Sequence, residues 1–323
     1  MTILDEFLKS PNIPYETKKM IDSLDDLGKE AFNAYLDENS NFRQHAQIEN
    51  ISKKFYADPE KIVDLYHYTT YDAFKKIVSS QKFFLGSIHH MNDIKEMSYA
   101  FELLGEELTQ LKSPQALLDE IKSIKTRVPW DVYIWCFSEN DYSQSLQNYG
   151  EIALGFKSQI VMDTLAAHFS KGAQTLDDFT VGNAYVFPLK VEYNLQVQTE
   201  FIKPIAKVLF SAYKNYSKDP EDMGEIISAC EKAIYLCSLC FKDPHLRQEE
   251  EIRYLIIKIN DDSNLNPEFH LGNKPFVSCE ITPDTLEKVI LSKKITSKIE
   301  ETESFLKNGD FTMTHVESTK LPY

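Results

Sequence analysis

The segment EEEIRYLIIKI, residues 249–259, constrains the fold more than any other stretch. Successive side chains of an extended chain point to opposite faces. Ile252, Tyr254 and Ile256 then share one face, and Glu249, Glu251, Arg253, Leu255 and Ile257 share the other. Past Arg253 both faces are apolar, which predicts a central strand with charged residues at its mouth. A carboxylate there suits catalysis; the same residues also allow a Glu251–Arg253 surface pair.

The elements around this strand predict the α+β class. Residues 1–60 read as a helical N-terminal region, with apolar residues at helical spacing and Pro11, Pro14 and Pro59 as punctuation. KIVDLYHYTT (61–70) predicts a strand, and TYDAFKKIVSS (70–80) a helix with Phe74, Ile77 and Val78 on one face and Thr69 or Thr70 as its N-cap. QKFFLGS, VYIWCFSEN, EIALGF, FVSCEI and FTMTHVES predict further strands, AYVFPLKVEYN one long strand or a pair, and TLEKVIL a helix or a strand. MSYAFELLGEELTQL and TESFLKN predict helices, and DYSQSLQNYG a short helix or turn. A helical insertion covers about 200–242, so the division is residues 1–60 and residues 61–323. Strands and helices alternate without a βαβ repeat, which argues against a doubly wound sheet.

Composition excludes some functions. The net charge of -15 argues against a broad basic surface that tracks nucleic-acid backbones. Any anionic ligand must be met by local donors, because the field of the whole chain opposes it. No apolar run approaches the ~18 residues of a membrane span. The early acidic residues predict no secretory signal. The five cysteines lack framework spacing, which fits a reducing cytoplasm. With ten glycines and no glycine-rich phosphate motif, a backbone phosphate cradle is not expected. Cys237 and Cys240 form a CxxC inside a helical pattern with no second pair, so a core helix is expected rather than zinc. His89, His90, Asp93 and Glu96 read as a solvated loop, and no metal is expected.

Three stretches carry candidate chemistry: YHYTT (66–70), CFSENDYSQSLQNYG (136–150) and RQEEEIRYL (247–255). His67 lies on a predicted strand between two tyrosines, either as a core histidine or as a ligand holder. Ser145 and Tyr149 are four residues apart, so on a helix they would share a face and suit a flat polar ligand. Tyr149 packed against the sheet is the alternative.

The order of short motifs resembles the DUF2971 proteins, a large bacterial family of uncharacterised function. LYHYT, FLGS, MNDIKE, CFSE with the later Ser, Tyr and GF, CFK, EEEIRYL, ITPDTLEKVIL and the terminal VESTKLPY carry the likeness from about residue 62 onward. Gln147 stands where that family usually has a tryptophan shortly before the tyrosine. The family in turn resembles ADP-ribosyltransferases, which carry a histidine on an early strand, Ser and Tyr after a later strand, and a glutamate on a strand beyond. The resemblance implies a split mixed or antiparallel β core and NAD as substrate. It implies Glu251 as the catalytic residue, and His67, Tyr68, Thr69, Ser138, Ser145 and Tyr149 around the dinucleotide. Glu249 resembles the first member of a paired-glutamate form, on the same face as Glu251.

In that reading Tyr149 stacks on the cationic nicotinamide ring and Ser145 bonds its carboxamide. His67 donates to a ribose hydroxyl, as a neutral ring with an orienting partner on its other nitrogen. Glu251 stabilises the oxocarbenium character that develops when the nicotinamide–ribose bond breaks. The implied role is a bacterial toxin or phage-defence effector that modifies a protein or nucleic-acid target, with an antitoxin or immunity protein as a further partner. An NAD glycohydrolase and a non-enzymatic nucleotide- or partner-binding module are the alternatives.

Overall fold

The structure is a computed structural model describing residues 2–91, 95, 97–128, 130–141, 143–171, 183–258 and 267–321. In chain order it contains helices α1 (Ile3–Lys9), α2 (Tyr15–Ser23), α3 (Asp26–Leu36), α4 (Asn41–Ala46) and α5 (Ile48–Phe55). Strand β1 (Asp64–Thr69), helix α6 (Tyr71–Ser80) and strand β2 (Lys82–Ser87) follow. Next come α7 (Tyr99–Gln110), α8 (Gln115–Arg127), β3 (Val132–Ser138), β4 (Ile152–Lys157), α9 (Ser158–Leu165) and β5 (Ala184–Lys190). The last part holds α10 (Leu195–Asn215), α11 (Pro220–Cys240), β6 (Glu251–Lys258), β7 (Phe269–Leu271), β8 (Lys274–Glu280), β9 (Leu286–Leu291), α12 (Ile299–Asn308) and β10 (His315–Ser318).

The chain divides into two units. The first combines residues 1–55, 93–129 and 192–244, and its named elements are all helices. Its long helices α10 and α11 bury an apolar face that includes Ile202, Ile205, Leu209, Ile234 and Leu236. Asp25 caps α3 through the Gly28 N–H at 2.9 Å and accepts from Asn215 Nδ2 at 2.8 Å. Cys237 and Cys240 both point into this core, and burial pushes the Cys237 thiol well up. The cysteine pair belongs to a packed helix.

The second unit, residues 56–92, 130–191 and 245–323, carries the sheet. Its order is β10-β9-β4-β1-β3-β2-β8-β7, with β6 pairing both β3 and β5. β10 and β9 are parallel and the other pairs are antiparallel, so the sheet is mixed. β6 lies between two strands and Arg253 is fully buried, as expected of a central strand. AYVFPLKVEYN contributes a single strand, β5, over its first seven residues, and TLEKVIL contributes β9. Thr70 caps α6 through the Ala73 N–H, and Phe74, Ile77 and Val78 enter the core as their spacing predicts.

The sheet branches at β3. One edge of β3 pairs with β6 from Val132 to Ser138. The other edge is shared: β2 pairs with Tyr133 and Ile134, and β1 pairs with Ser138. Trp135, Cys136 and Phe137 have no strand partner on that edge among the described ladders. The half-sheet β1-β4-β9-β10 therefore joins the rest through the Tyr66–Ser138 pair. The residues around this opening are those the sequence singles out.

Candidate functional site

Tyr66 of β1, Ser138 of β3 and Glu251 of β6 are in register across three neighbouring strands. In-register residues of paired strands share a face, so these three side chains form a row. Cys136 and Arg253 are also in register and lie on that face. Glu251 is 6% exposed, and its Oε2 accepts from Arg253 Nη2 at 3.0 Å. The Glu251–Arg253 pair is therefore buried, not a surface pair. It orients the carboxylate at the strand mouth.

Glu249 is positioned differently from the sequence reading. It closes a 3-10 turn over Pro244–Glu249, and Glu250 adopts φ 44°, in the left-handed region. That reversal interrupts strand alternation before β6 begins, so Glu249 and Glu251 are not successive residues of one strand face. Glu249 is buried nonetheless, and its Oε1 accepts from the Tyr149 hydroxyl at 3.2 Å.

His67 follows Tyr66 on β1 and points to the other side of the sheet, away from Glu251 and Ser138. Its ring lies 4.7 Å from Phe83, 6.2 Å from Phe137 and 6.5 Å from Trp135, centroid to centroid. Desolvation by these rings pushes its pKa down to about 4, against a smaller opposing effect from its bond to Cys136. Nδ1 is 2.8 Å from the Cys136 carbonyl, on the β3 edge left open by the branch. A carbonyl only accepts, so Nδ1 carries the proton and Nε2 of the neutral ring is an acceptor. This corrects the expected role: the orienting partner and the neutral ring are present, but the second nitrogen accepts a hydrogen bond instead of donating one. The residue keeps partial exposure.

Tyr68 is a clamp. Its hydroxyl donates to the Asn140 carbonyl and accepts from the Ser143 N–H, both at 2.9 Å. Desolvation pushes this phenol well up, so it stays protonated. Thr69 pairs with Ile152, and Gly150 packs against the Thr69 backbone: a Cβ there would lie 2.0 Å from the Thr69 carbonyl oxygen. Only glycine permits that approach.

The turn after β3 is organised by serines. Ser138 Oγ accepts from the Asn140 N–H at 3.0 Å. Ser143 Oγ is 2.9 Å from Ser145 Oγ, donates to the Gln248 carbonyl and accepts from the Leu146 N–H, each of the latter two at 3.3 Å. The Ser143 proton is committed to Gln248, so the Ser145 hydroxyl is the donor between the two serines. Ser143, which sequence reasoning passed over, thus ties the turn to the segment leading into Glu249. The sequence signal was its position two residues before Ser145.

Ser145 and Tyr149 flank a 3-10 turn over Leu146–Asn148. With three residues per turn, a four-residue spacing does not put them on a common face. Tyr149 is 57% exposed, so its ring is presented outward and not packed on the sheet. Gln147 donates its N–H to the Ser143 carbonyl at 3.3 Å and lines a crevice of about 10 Å³ with Tyr68, Gly150 and Ile152. That volume holds roughly one water. This crevice does not hold a dinucleotide.

Asp93 and Glu96, with Asn92 of the MNDIKE motif, lie outside the described residues. Among the described residues no group of three His, Cys, Asp or Glu side chains is placed to hold a metal. No helix among them is long and apolar enough to cross a membrane. Comparison of the chain with protein-family models, curated proteins and solved structures finds no match.

Proposed function

We propose that this chain is an NAD-dependent mono-ADP-ribosyltransferase acting at the branch point of its sheet. The observation that carries the reading is the register Tyr66–Ser138–Glu251: three stretches far apart in sequence meet on adjacent strands beside an opened sheet edge. Tyr149 supports it by presenting an exposed ring whose hydroxyl is held by a buried carboxylate.

In the reaction, the bond between nicotinamide nitrogen and ribose C1′ breaks and its electron pair leaves with nicotinamide. A nucleophile of the target bonds to C1′ and gives up its proton. Tyr149 stacks on the cationic nicotinamide before departure. The Ser145 hydroxyl exchanges its bond to Ser143 for one to the carboxamide. Glu251, fixed by Arg253, accepts from a ribose hydroxyl beside C1′ and stabilises the positive charge developing there. His67, on the opposite side of the sheet, does not reach the ribose hydroxyl that Glu251 holds. The toxin or phage-defence role, and an antitoxin or immunity partner, rest on the resemblance to bacterial members of this enzyme class.

A second reading has its own support. The pairing of Glu251 with Arg253, which already commits the carboxylate, also suits a nucleotide- or partner-binding module without turnover. An NAD glycohydrolase would use the same residues with water as nucleophile.

Incubation with radiolabelled NAD and a cell lysate separates the three. Wild-type protein is expected to label a macromolecule, and Glu251→Gln to lose about 10²–10³-fold in rate, the scale for one transition-state electrostatic contact. Gln keeps a hydrogen-bond acceptor for Arg253, and circular dichroism checks that the variant folds. Tyr149→Ala alters an exposed side chain and should raise KM for NAD. Nicotinamide release without label transfer indicates the hydrolase. NAD binding without release of nicotinamide leaves the binding module, and neither binding nor release discards the NAD reading.

A further inference from the structure

A cavity of about 740 Å³ belongs to the helical unit and not to the candidate site. It is a channel between α7 and α8. Its α7 wall runs from Ser98 to Gln110 in alternating steps of three and one, the spacing of one helical stripe. The twelve steps from Ser98 to Gln110, at ~1.5 Å each, make it about 18 Å long. Phe101, Gly105, Leu118 and Ile121 form the apolar floor. Gly105 keeps it deep: a Cβ there would lie 3.4 Å from Ile121 Cδ1, and a longer side chain would project into the channel.

Two observations restrict the occupant. Three polar side chains of the lining are committed within the unit. Ser98 Oγ donates to Glu102, Thr109 Oγ1 to the Gly105 carbonyl and Gln115 Nε2 to Asp119. An extended peptide laid on this floor would leave its backbone groups unpaired, whereas a helix satisfies its own. The charge is acidic. Glu102 and Glu106 line the channel exposed and enter no ion pair among the described residues, while the cation Lys122 is paired with Asp119 at 2.8 Å. A fatty acid or phosphate headgroup would be repelled, and so would a second copy of a chain with net charge -15.

We propose that this channel docks an amphipathic helix of a partner protein. Apolar side chains at i, i+3 or i+4, and i+7 span about 10 Å and fill the floor. Lys or Arg residues flanking that stripe meet Glu102 and Glu106. The docking site is independent of NAD chemistry and stands whether or not the chain is a transferase.

The test is selection of a displayed library of 16-residue peptides against the full chain. Enriched peptides are expected to carry an apolar stripe at helical spacing with basic flanks, and to gain helical circular dichroism on binding. Gly105→Leu, which fills the channel and improves helix propensity, should weaken the best peptide at least ten-fold, as should Leu118→Glu. Glu102→Lys combined with Glu106→Lys should abolish the salt-sensitive part of the affinity. Enrichment of no peptide, or of acidic or non-helical ones, overturns the proposal. So does binding that survives Gly105→Leu and Leu118→Glu in protein whose circular dichroism is unchanged. A palmitate probe that binds in the channel while basic helices do not also overturns it.

Discussion

At pH 7 the His67 imidazole is neutral because Phe83, Trp135 and Phe137 exclude water from it more effectively than the Cys136 carbonyl stabilises its charge. The sign of the consequence follows from linkage. The unfolded ring takes up its proton near pH 6.5 and the folded ring only near about 4. The stability this neutral ring contributes is complete above 6.5 and falls as the pH drops toward 4. The slope is at most about 1.4 kcal/mol per pH unit, and the residue's partial exposure reduces it. His67→Gln should flatten the acid limb of urea stability between pH 6.5 and 4 while leaving Glu251 in place. An unchanged limb would mean that this histidine is not the group whose charging destabilises the fold.

At the scale of elements, Tyr68 connects strand and turn. Replacing it with phenylalanine removes the acceptor of the Ser143 N–H and the donor to the Asn140 carbonyl, at a cost of about 2 kcal/mol. The expected result is faster hydrogen exchange through residues 140–150, with β1 and β3 still protected; uniform loss of protection would show a global effect. Much of this region is legible in the sequence. The alternation of apolar residues places β6 between two strands, and Thr70 marks the start of α6. The hydroxyl-rich stretch after β3 marks the turn. What is not legible is three-dimensional. One residue with positive φ, Glu250, separates Glu249 from the strand face it shares on paper with Glu251. A 3-10 turn in place of an α-helix separates Ser145 from Tyr149. Helices α8 and α9 escape a reading that weighs motifs over periodicity, and the branch at β3 depends on pairings between residues that no local pattern links.

At the scale of the whole molecule, charge governs which target the proposed transferase would reach. A net charge of -15 lowers the local concentration of any polyanion around the chain, and the effect weakens as salt screens it. A basic protein acceptor is drawn toward the same field. The acidic channel between α7 and α8 adds to this bias with Glu102 and Glu106. Radiolabel from NAD is therefore expected to enter protein and to survive RNase and DNase but not protease. Raising the salt from 50 to 500 mM should slow labelling of a basic acceptor severalfold. Nuclease-sensitive label would reverse the assignment, because a nucleic-acid acceptor could approach only through a local basic groove strong enough to overcome the field of the chain. The salt dependence then distinguishes the cases by sign: screening hinders an attracted protein, whereas it assists a repelled polyanion until its local contacts are screened in turn.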